Sequence, residues 1–255
     1  ACRTGHPNQC PDLDMVGFSA PGAYAEFIAV EERFCWSLDG LAERVGTDTA
    51  LELGALVEPI ACSYNGIWGA GTGMRPGAHV VVYGAGPIGL GAIALCRAAG
   101  AASVVVFEPG AGRREVALAL GADAAYDPTA VDPVERVLGH TAGWGADLQV
   151  ECAGAALQTM ASVERLFAPG GQMVYLGRTG ERAPVMLDAL VTGAARIVGS
   201  RGHVGSGCFP RVIRLMQAGR LEVQPMITSR LPFGDFQAAL DRSCERADGK
   251  ILLRY

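Results

Sequence analysis

Three glycines and one acidic residue form the pattern that points most directly to chemistry. Gly84, Gly86 and Gly89 fit the motif G-x-G-x-x-G, and Glu108 follows the third glycine by about 20 residues. In this motif the first glycine permits a tight turn, the second lets the main chain approach a diphosphate, and the third lets a helix pack closely on a strand. An acidic residue at that distance hydrogen-bonds ribose hydroxyls, so the pattern predicts a dinucleotide site.

The context of the motif matters, because the chain contains 35 glycines. The motif follows the apolar run HVVVY at 79–83 and precedes an apolar, helix-favouring segment at 88–99. A helix that begins there presents free main-chain N–H groups and a partial positive charge to phosphates. We therefore expect the amides of residues 85–88 to face the diphosphate, with Pro87 and Ile88 lining the turn, and the Glu108 carboxylate to hold the adenosine ribose.

Glu108 also bears on which dinucleotide binds. A carboxylate at this position repels the 2′-phosphate of NADP, so the sequence favours NAD. Arg113 and Arg114 follow closely and argue for NADP, and Arg113 is itself a candidate cofactor contact. Three alternatives stay open: a glycine-rich turn without a ligand, a flavin or nucleoside ligand on the same fold, and a methyltransferase.

The elements around the motif alternate between strand and helix. Six strands are predicted at residues 79–83, 103–108, 123–127, 147–152, 172–176 and 196–199, with helices between most of them. Repeated strand–helix–strand units predict an α/β fold with a doubly wound parallel sheet of the Rossmann type. Cofactors bind at the carboxyl ends of such strands, where Leu176 follows the fifth strand and Ser200 and Arg201 follow the sixth.

The flanking segments are less regular. The alternating residues 24–30 (YAEFIAV) predict a strand, and helices are predicted at 47–56 and from Glu58-Pro59 onward. After residue 202 two helices, at 210–218 and 236–243, precede a final strand at 250–254.

Composition excludes several classes of protein. The net charge is −5 and no run of Lys or Arg exceeds two residues, so neither nucleic-acid nor membrane binding is expected. No membrane span or secretory signal is recognisable, so we expect a cytoplasmic protein whose eight cysteines are reduced. The abrupt opening at residues 1–5 looks like the interior of a longer chain.

Several segments together resemble one family. The sequence is similar to the zinc-dependent medium-chain dehydrogenases/reductases, on their polyol branch of sorbitol, threonine and cyclitol dehydrogenases. The resemblance rests on C-R-T-G-H-P-N-Q-C at 2–10, G-A-Y-A-E-F at 22–27, V-E-P at 57–59, R-P-G-A-H-V-V-V-Y-G-A-G-P-I-G at 75–89, L-G-A-D at 120–123, A-P-G-G at 168–171 and G-K-I-L-L at 249–253.

The resemblance implies three parts of the chain. Residues 1–58 would be the C-terminal part of a mainly β, GroES-like catalytic domain with half of a structural zinc lobe. Residues 59–201 would be the NAD-binding Rossmann domain, and residues 202–255 a return segment that partly packs with the catalytic domain. It also implies a homo-oligomer, a dimer or tetramer, for which pairing through the sixth strand would cover an open sheet edge.

Zinc ligands are implied by the same resemblance. Cys2 and Cys10 resemble the last two of four cysteines in the structural zinc lobe, although two loop thiols without a metal remain an alternative. Glu58 resembles the acidic residue at or near the catalytic zinc, although an acid there also suits a helix N-terminus. Cys62 and Asn65 follow on the same helix and either face the nicotinamide or pack.

The departure from the family is large, since its catalytic cysteine and Gly-His-Glu segment are not in this sequence. None of the four histidines lies in such a motif, and we expect none to be a catalytic ligand. The implied activity is zinc-assisted hydride transfer between a secondary alcohol, of polyol or cyclitol type, and NAD. A non-catalytic NAD-binding fragment and a zinc-free quinone or enoyl reductase remain alternatives.

Overall fold

The computed structural model describes residues 1–204 and 207–255. Its strands are His79–Tyr83 (β1), Ser103–Phe107 (β2), Ala124–Tyr126 (β3), Ala146–Glu151 (β4), Phe167–Tyr175 (β5), Arg196–Gly199 (β6), Ile227–Pro232 (β7) and Lys250–Arg254 (β8). The first six form one parallel sheet in the order β3-β2-β1-β4-β5-β6, and β7 pairs in parallel with β8. The predicted doubly wound α/β sheet is confirmed, and its strand order reverses between β1 and β4.

The helices cover both faces of this sheet. They are Asp39–Val45 (α1), Thr47–Gly54 (α2), Val57–Tyr64 (α3), Pro87–Ala98 (α4), Ala111–Ala119 (α5), Pro133–His140 (α6), Ala156–Val163 (α7), Leu187–Thr192 (α8), Phe209–Gln217 (α9) and Phe236–Cys244 (α10). A π-helical segment, Asn65–Ala70, continues α3. One apolar cluster joins the sheet to α3, α4 and α9, and a second joins the opposite face to α6 and α7.

The central strands are buried because they carry apolar side chains on both faces of the sheet. Val80 and Val82 of β1 belong to one cluster, whereas Val81 belongs to the other. The same alternation holds for Val104 and Val105 of β2, which pair in register with β1. Continuous apolar strands are expected where helices cover both faces, and this burial fixes the carboxyl ends of β1 and β2 side by side.

The prediction of a strand at residues 24–30 is wrong. These residues have no regular strand, and Phe27 has 89% of its surface exposed. Within residues 1–38, all of which the structure describes, the only bridge of β type joins Val16 to Ala20. An alternating pattern becomes a strand only when a neighbouring strand accepts its main-chain hydrogen bonds, and none lies beside this segment.

The C-terminal pair of strands is anchored to α2, and β7 was not predicted from the sequence. Glu52 of α2 is buried and accepts two hydrogen bonds from Arg230 of β7, at 2.6 and 2.8 Å, and one from Arg254 of β8. The Arg230 hydrogen bond is the main cause that lowers the pKa of Glu52 to about 2. Glu52 therefore joins the N-terminal helices to the return segment through charge-assisted hydrogen bonds.

Among the described residues, no helix is both long and apolar enough to cross a membrane.

Candidate functional site

The glycine turn lies between β1 and α4, where the strand order reverses. Gly84 has a φ of 88°, which strains any other residue, and a Cβ there would come within 3.0 Å of Ala153. A Cβ on Gly89 would overlap the carbonyl oxygen of Gly84, so α4 begins in direct contact with the turn. Each of these glycines is therefore required by close main-chain approach, as the motif predicted.

The donors of the turn differ in part from the predicted set. The Ala85 amide already donates to Oε2 of Glu108 at 2.7 Å, and Pro87 has no N–H, so residues 85–88 do not all face a ligand. The amides of Gly86, Ile88 and Gly89 make no hydrogen bond with any part of the chain that the structure describes. These three, at the start of a 12-residue helix, are the donors that remain for an anion.

Glu108 follows β2 and faces the glycine turn. It is buried, and its second carboxylate oxygen accepts from the Gly110 amide at 2.8 Å. A carboxylate offers about four acceptor positions, so two remain for sugar hydroxyls. The two hydrogen bonds from main-chain amides fix the carboxylate beside the turn and leave acceptor positions on its oxygens unused.

The two arginines after Glu108 have different surroundings. The Nε of Arg113 donates to the carbonyl of Asp248 at 2.9 Å, and its Nη1 is 4.0 Å from where a Cβ on Gly86 would lie. The guanidinium of Arg114 instead donates to two main-chain carbonyls of the preceding loop and lies 3.7 Å from Asp127. Only Arg113 is therefore held over the turn.

A cavity of about 360 Å³ lies beside the turn and was not predicted. Pro87, Arg113 and Lys250 are among its lining residues, and the remainder come from residues 23–24, Phe233, α10 and the segment 248–255. Lys250 is the single lysine of the chain. Its strand was predicted, but no motif indicated that the return segment would bring a cation to the turn.

The residues predicted after β5 and β6 lie next to the π-helical segment. The Leu176 side chain packs against Gly66, and Oγ of Ser200 accepts from Nδ2 of Asn65 at 3.2 Å. Nδ2 of Asn65 also donates to the carbonyl of Gly202 at 3.1 Å. Asn65 therefore packs rather than facing an open site, and it fixes the loop after β6.

Arg201 and Asn8 lie at the outer side of this loop. The Arg201 side chain is exposed, and its carbonyl accepts from Nδ2 of Asn8 at 2.6 Å. This contact joins the N-terminal segment to the carboxyl end of β6. No described hydrogen bond or ion pair fixes the Arg201 guanidinium.

Glu58 lies in the first turn of α3, with 61% of its side-chain surface exposed. Its Oε1 lies 3.4 Å from Nε2 of His203 and accepts from Sγ of Cys62 at 3.5 Å. The hydrogen bond from His203 is the largest of the causes that together lower the pKa of Glu58. Burial raises the pKa of the Cys62 thiol, so it stays protonated. The contact with His203 was not expected, since no motif marked that histidine.

The donor groups for zinc are incomplete. Cys2 is exposed, Cys10 is half-buried, and both are free thiols. Across residues 1–204 and 207–255, no group of three or more His, Cys, Asp or Glu side chains could hold a metal ion. Structural zinc needs four ligands and catalytic zinc three from the protein, so the described residues do not close either site.

Comparison with known proteins places this geometry in a family. Residues 87–218, just over half of the chain, match the family model described as "Zinc-binding dehydrogenase". The chain belongs to the zinc-binding dehydrogenase family. The resemblance inferred from the sequence is therefore confirmed, and the matched segment begins at Pro87, within the glycine turn.

Named relatives in the zinc-binding dehydrogenase family are similar over most of this chain. Scyllo-inosose 3-dehydrogenase from Thermotoga maritima is 40% identical over 222 residues, which are 86% of this chain and 56% of the relative. L-threonine 3-dehydrogenase from Caldanaerobacter subterraneus subsp. tengcongensis is 31% identical over 255 residues, 99% of this chain and 70% of the relative. The chain thus spans little more than half of the first relative's length.

Solved structures agree with the fold. A Thermotoga maritima protein, provisionally named an alcohol dehydrogenase, superposes with a TM-score of 0.94 at 36% identity over 99% of this chain and 65% of that chain. An alcohol dehydrogenase from E. coli CFT073, complexed with NADH, has a TM-score of 0.85 at 25% identity, over 100% of this chain and 72% of that one. A Sinorhizobium meliloti protein, provisionally named a zinc-binding dehydrogenase and bound to NADP, has a TM-score of 0.78 at 29% identity, over 94% of this chain and 68% of that one.

Proposed function

We propose that this chain binds NAD(H) across the glycine turn. The supporting observation is the contact between Ala85 and Glu108, which places a buried carboxylate next to the free amides of Ile88 and Gly89. The amides and Arg113 suit a diphosphate, and the carboxylate suits ribose hydroxyls. The Glu108 carboxylate repels a 2′-phosphate, which supports NAD over NADP.

Titration with NADH and NADPH, followed by nicotinamide fluorescence, tests this proposal. We expect saturable binding of NADH at micromolar concentrations and at least tenfold weaker binding of NADPH. Replacing Arg113→Ala weakens NADH binding, because a guanidinium next to the diphosphate is lost. The matched control is Arg165→Ala, which removes an exposed arginine just before β5, at the amino end of that strand, and leaves NADH affinity unchanged. Absence of saturable binding of both dinucleotides contradicts the proposal.

We further propose that the activity is interconversion of a secondary alcohol and a ketone, of polyol or cyclitol type. The names of the two relatives support this substrate class. A bound nicotinamide supplies the hydride acceptor or donor at its C4 atom. This chain's contribution is to bind the dinucleotide at the turn and to hold Leu176 and Ser200 at the carboxyl ends of β5 and β6, where the crevice opens.

Glu58 is our candidate for the residue nearest the substrate. Its carboxylate is exposed on one side and held by His203 and Cys62 on the other. Its role as a metal ligand, and those of Cys2 and Cys10, stay predictions, because the described residues offer too few donors. The division into residues 1–58, 59–201 and 202–255 and assembly as a homo-oligomer are also proposals.

Assay of NAD reduction with an inositol, L-threonine and 2,3-butanediol tests the activity. We expect reduction with the inositol to exceed that with the other two alcohols. NADH binding without turnover of any alcohol or ketone favours the non-catalytic alternative. Turnover of a quinone or an enoyl thioester, without turnover of an alcohol, favours the zinc-free reductase.

A further inference from the structure

The end of β4 carries a carboxyl group that the proposed chemistry does not use. Glu151 is the last residue of β4 and is fully buried. In the described parts of the chain it has no cationic partner. Burying a carboxyl group without a cation costs free energy, and only hydrogen bonds to its oxygens can offset that cost.

Both oxygens of this carboxyl group accept main-chain hydrogen bonds from the loop that follows. Oε2 accepts from the Gly154 amide at 3.1 Å, and Oε1 accepts from the Ala155 amide at 3.1 Å. The loop begins with Cys152, whose amide donates to the carbonyl of Tyr83 at 2.8 Å. The Glu151 side chain thus holds Gly154 and Ala155, while a main-chain hydrogen bond holds Cys152 at the end of β1.

The loop after β5 is held by the main-chain carbonyl of Glu151 and packs against its carboxyl group. The amides of Leu176 and Gly177 both donate to the carbonyl of Glu151, at 2.8 and 3.0 Å. A Cβ on Gly177 would clash with the main chain of Gly154 and with Oε2 of Glu151. The two loops therefore meet through their main chains, directly over the carboxyl group.

The fixed loop is one wall of the glycine turn. Ala153 is the neighbour that a Cβ on Gly84 would meet at 3.0 Å, and a Cβ on Gly89 would lie 3.5 Å from Cβ of Cys152. A shift of residues 152–155 thus changes the space beside the turn. The crevice between β1 and β4 is where a Rossmann sheet binds its dinucleotide.

We propose that Glu151 is a positioning residue for the dinucleotide: its carboxyl group sets the loop after β4, against which the loop after β5 packs, so that the wall of the crevice is formed before the cofactor binds. The inference rests on the proposed function. It gives Glu151 no contact with the reacting atoms.

The ionised form suits this role better than the neutral form. A carboxylate accepts at both oxygens, whereas a protonated carboxyl group presents one hydroxyl that competes with an amide donor. Burial raises the pKa of Glu151. The titratable groups that face it are Tyr83 of β1, Tyr175 of β5 and Cys152, and burial raises the pKa of each, so they stay neutral through the acidic range.

The test compares Glu151→Gln with Gln149→Leu in the whole chain, using NADH fluorescence from pH 5 to 8. A glutamine offers one acceptor and turns an N–H group toward a loop amide, so the Kd for NADH should rise about tenfold, as for loss of one charge-assisted hydrogen bond. In the wild type the Kd should rise as the pH falls toward the pKa of Glu151. In Glu151→Gln this part of the pH dependence should disappear.

Gln149 is a matched control, because it is buried two residues earlier on the same strand. It accepts from the Tyr83 hydroxyl at 2.9 Å and donates to the Val163 carbonyl at 3.0 Å, and it contacts neither loop. Gln149→Leu should lower the melting temperature without changing the pH dependence or Kd for NADH. If Glu151→Gln does not fold, Glu151→Asp keeps the charge but falls short of the amides, and should bind NADH more weakly with the pH dependence retained.

Equal NADH affinity of wild type and a folded Glu151→Gln variant overturns the positioning role and leaves the proposed function intact. An equal loss of affinity in Gln149→Leu also overturns it, since general destabilisation would then explain the effect. Failure of the wild type itself to bind NADH contradicts both proposals.

Discussion

Oε2 of Glu108 lies 2.7 Å from the Ala85 amide, so the end of β2 and the turn after β1 are joined by a direct hydrogen bond. The register of the two strands makes this contact possible, since Tyr83 pairs with Phe107 and the next residues leave the sheet together. The carboxylate that we propose to bind ribose and the turn that we propose to bind the diphosphate are thus built as one unit.

Glu108→Gln should weaken NADH binding about tenfold, because one acceptor is lost and an amide N–H faces a main-chain donor. The same change removes the charge that repels a 2′-phosphate, so the preference should move toward NADPH. Titration with both dinucleotides measures this. Glu115→Gln, which neutralises an exposed acid on α5, serves as control and should alter neither affinity. Unchanged cofactor preference in Glu108→Gln would contradict the role of the carboxylate.

Gly89→Ala should abolish NADH binding, because its Cβ would overlap the carbonyl oxygen of Gly84 and force the turn open. Such overpacking typically costs about 1–3 kcal/mol of unfolding free energy. Gly139→Ala is the comparison: Gly139 lies in α6 with no atom within 4 Å of the new methyl group. It should gain up to about 1 kcal/mol from helix propensity. Urea denaturation and NADH titration distinguish the two, and NADH binding by Gly89→Ala would refute the close approach.

The ion pairs of Glu52 should make stability depend on acidic pH. The pKa of Glu52 is about 2 in the folded chain, against 4.5 for the ordinary group. A lowered folded pKa means that the stabilisation is fully present above pH 4.5 and is lost as the pH falls toward 2. After allowance for the exposed parts of the arginines, we expect about 2 kcal/mol.

Glu52→Gln removes this contribution and should flatten the stability profile between pH 5 and 2, measured by urea denaturation at each pH. Glu43→Gln, at an exposed position of α1, is the control and should leave the profile unchanged. A wild-type profile with the same slope as Glu52→Gln would show that the pairs with Arg230 and Arg254 do not stabilise the fold.

The edge of the sheet at β6 should be an interface between copies of the chain. β6 is the last strand of the sheet, and Leu187 and Val191 of the preceding helix expose 70% and 78% of their surface. An open edge next to exposed apolar side chains favours association. Val191→Lys should shift the assembly to a monomer in light scattering, whereas Leu157→Lys on α7 should not. A wild-type monomer at micromolar concentration would rule out this interface.

Sequence patterns located most of the sheet but misjudged three elements. The runs HVVVY and SVVVF predicted β1 and β2 because strands buried on both faces need continuous apolar residues. Residues 24–30 alternated equally well and formed no strand, since alternation does not provide a pairing partner. The strand predicted at 172–176 begins five residues earlier, because Phe167 pairs with Ala146 at the start of β5. β7 was not predicted, because it is stabilised by pairing with β8, which lies in a later part of the chain.

The sequence by itself determined the glycine turn, the acid that follows it and the α/β family to which both belong. These depend on local spacing, since a turn, a strand and a helix N-terminus are built from neighbouring residues. Only the tertiary structure decided which donors remain free, which arginine reaches the turn, and that His203 meets Glu58 and Lys250 lines the adjoining cavity. Those contacts join residues far apart in the chain, and their geometry is set by the packing of whole elements, which no local pattern encodes.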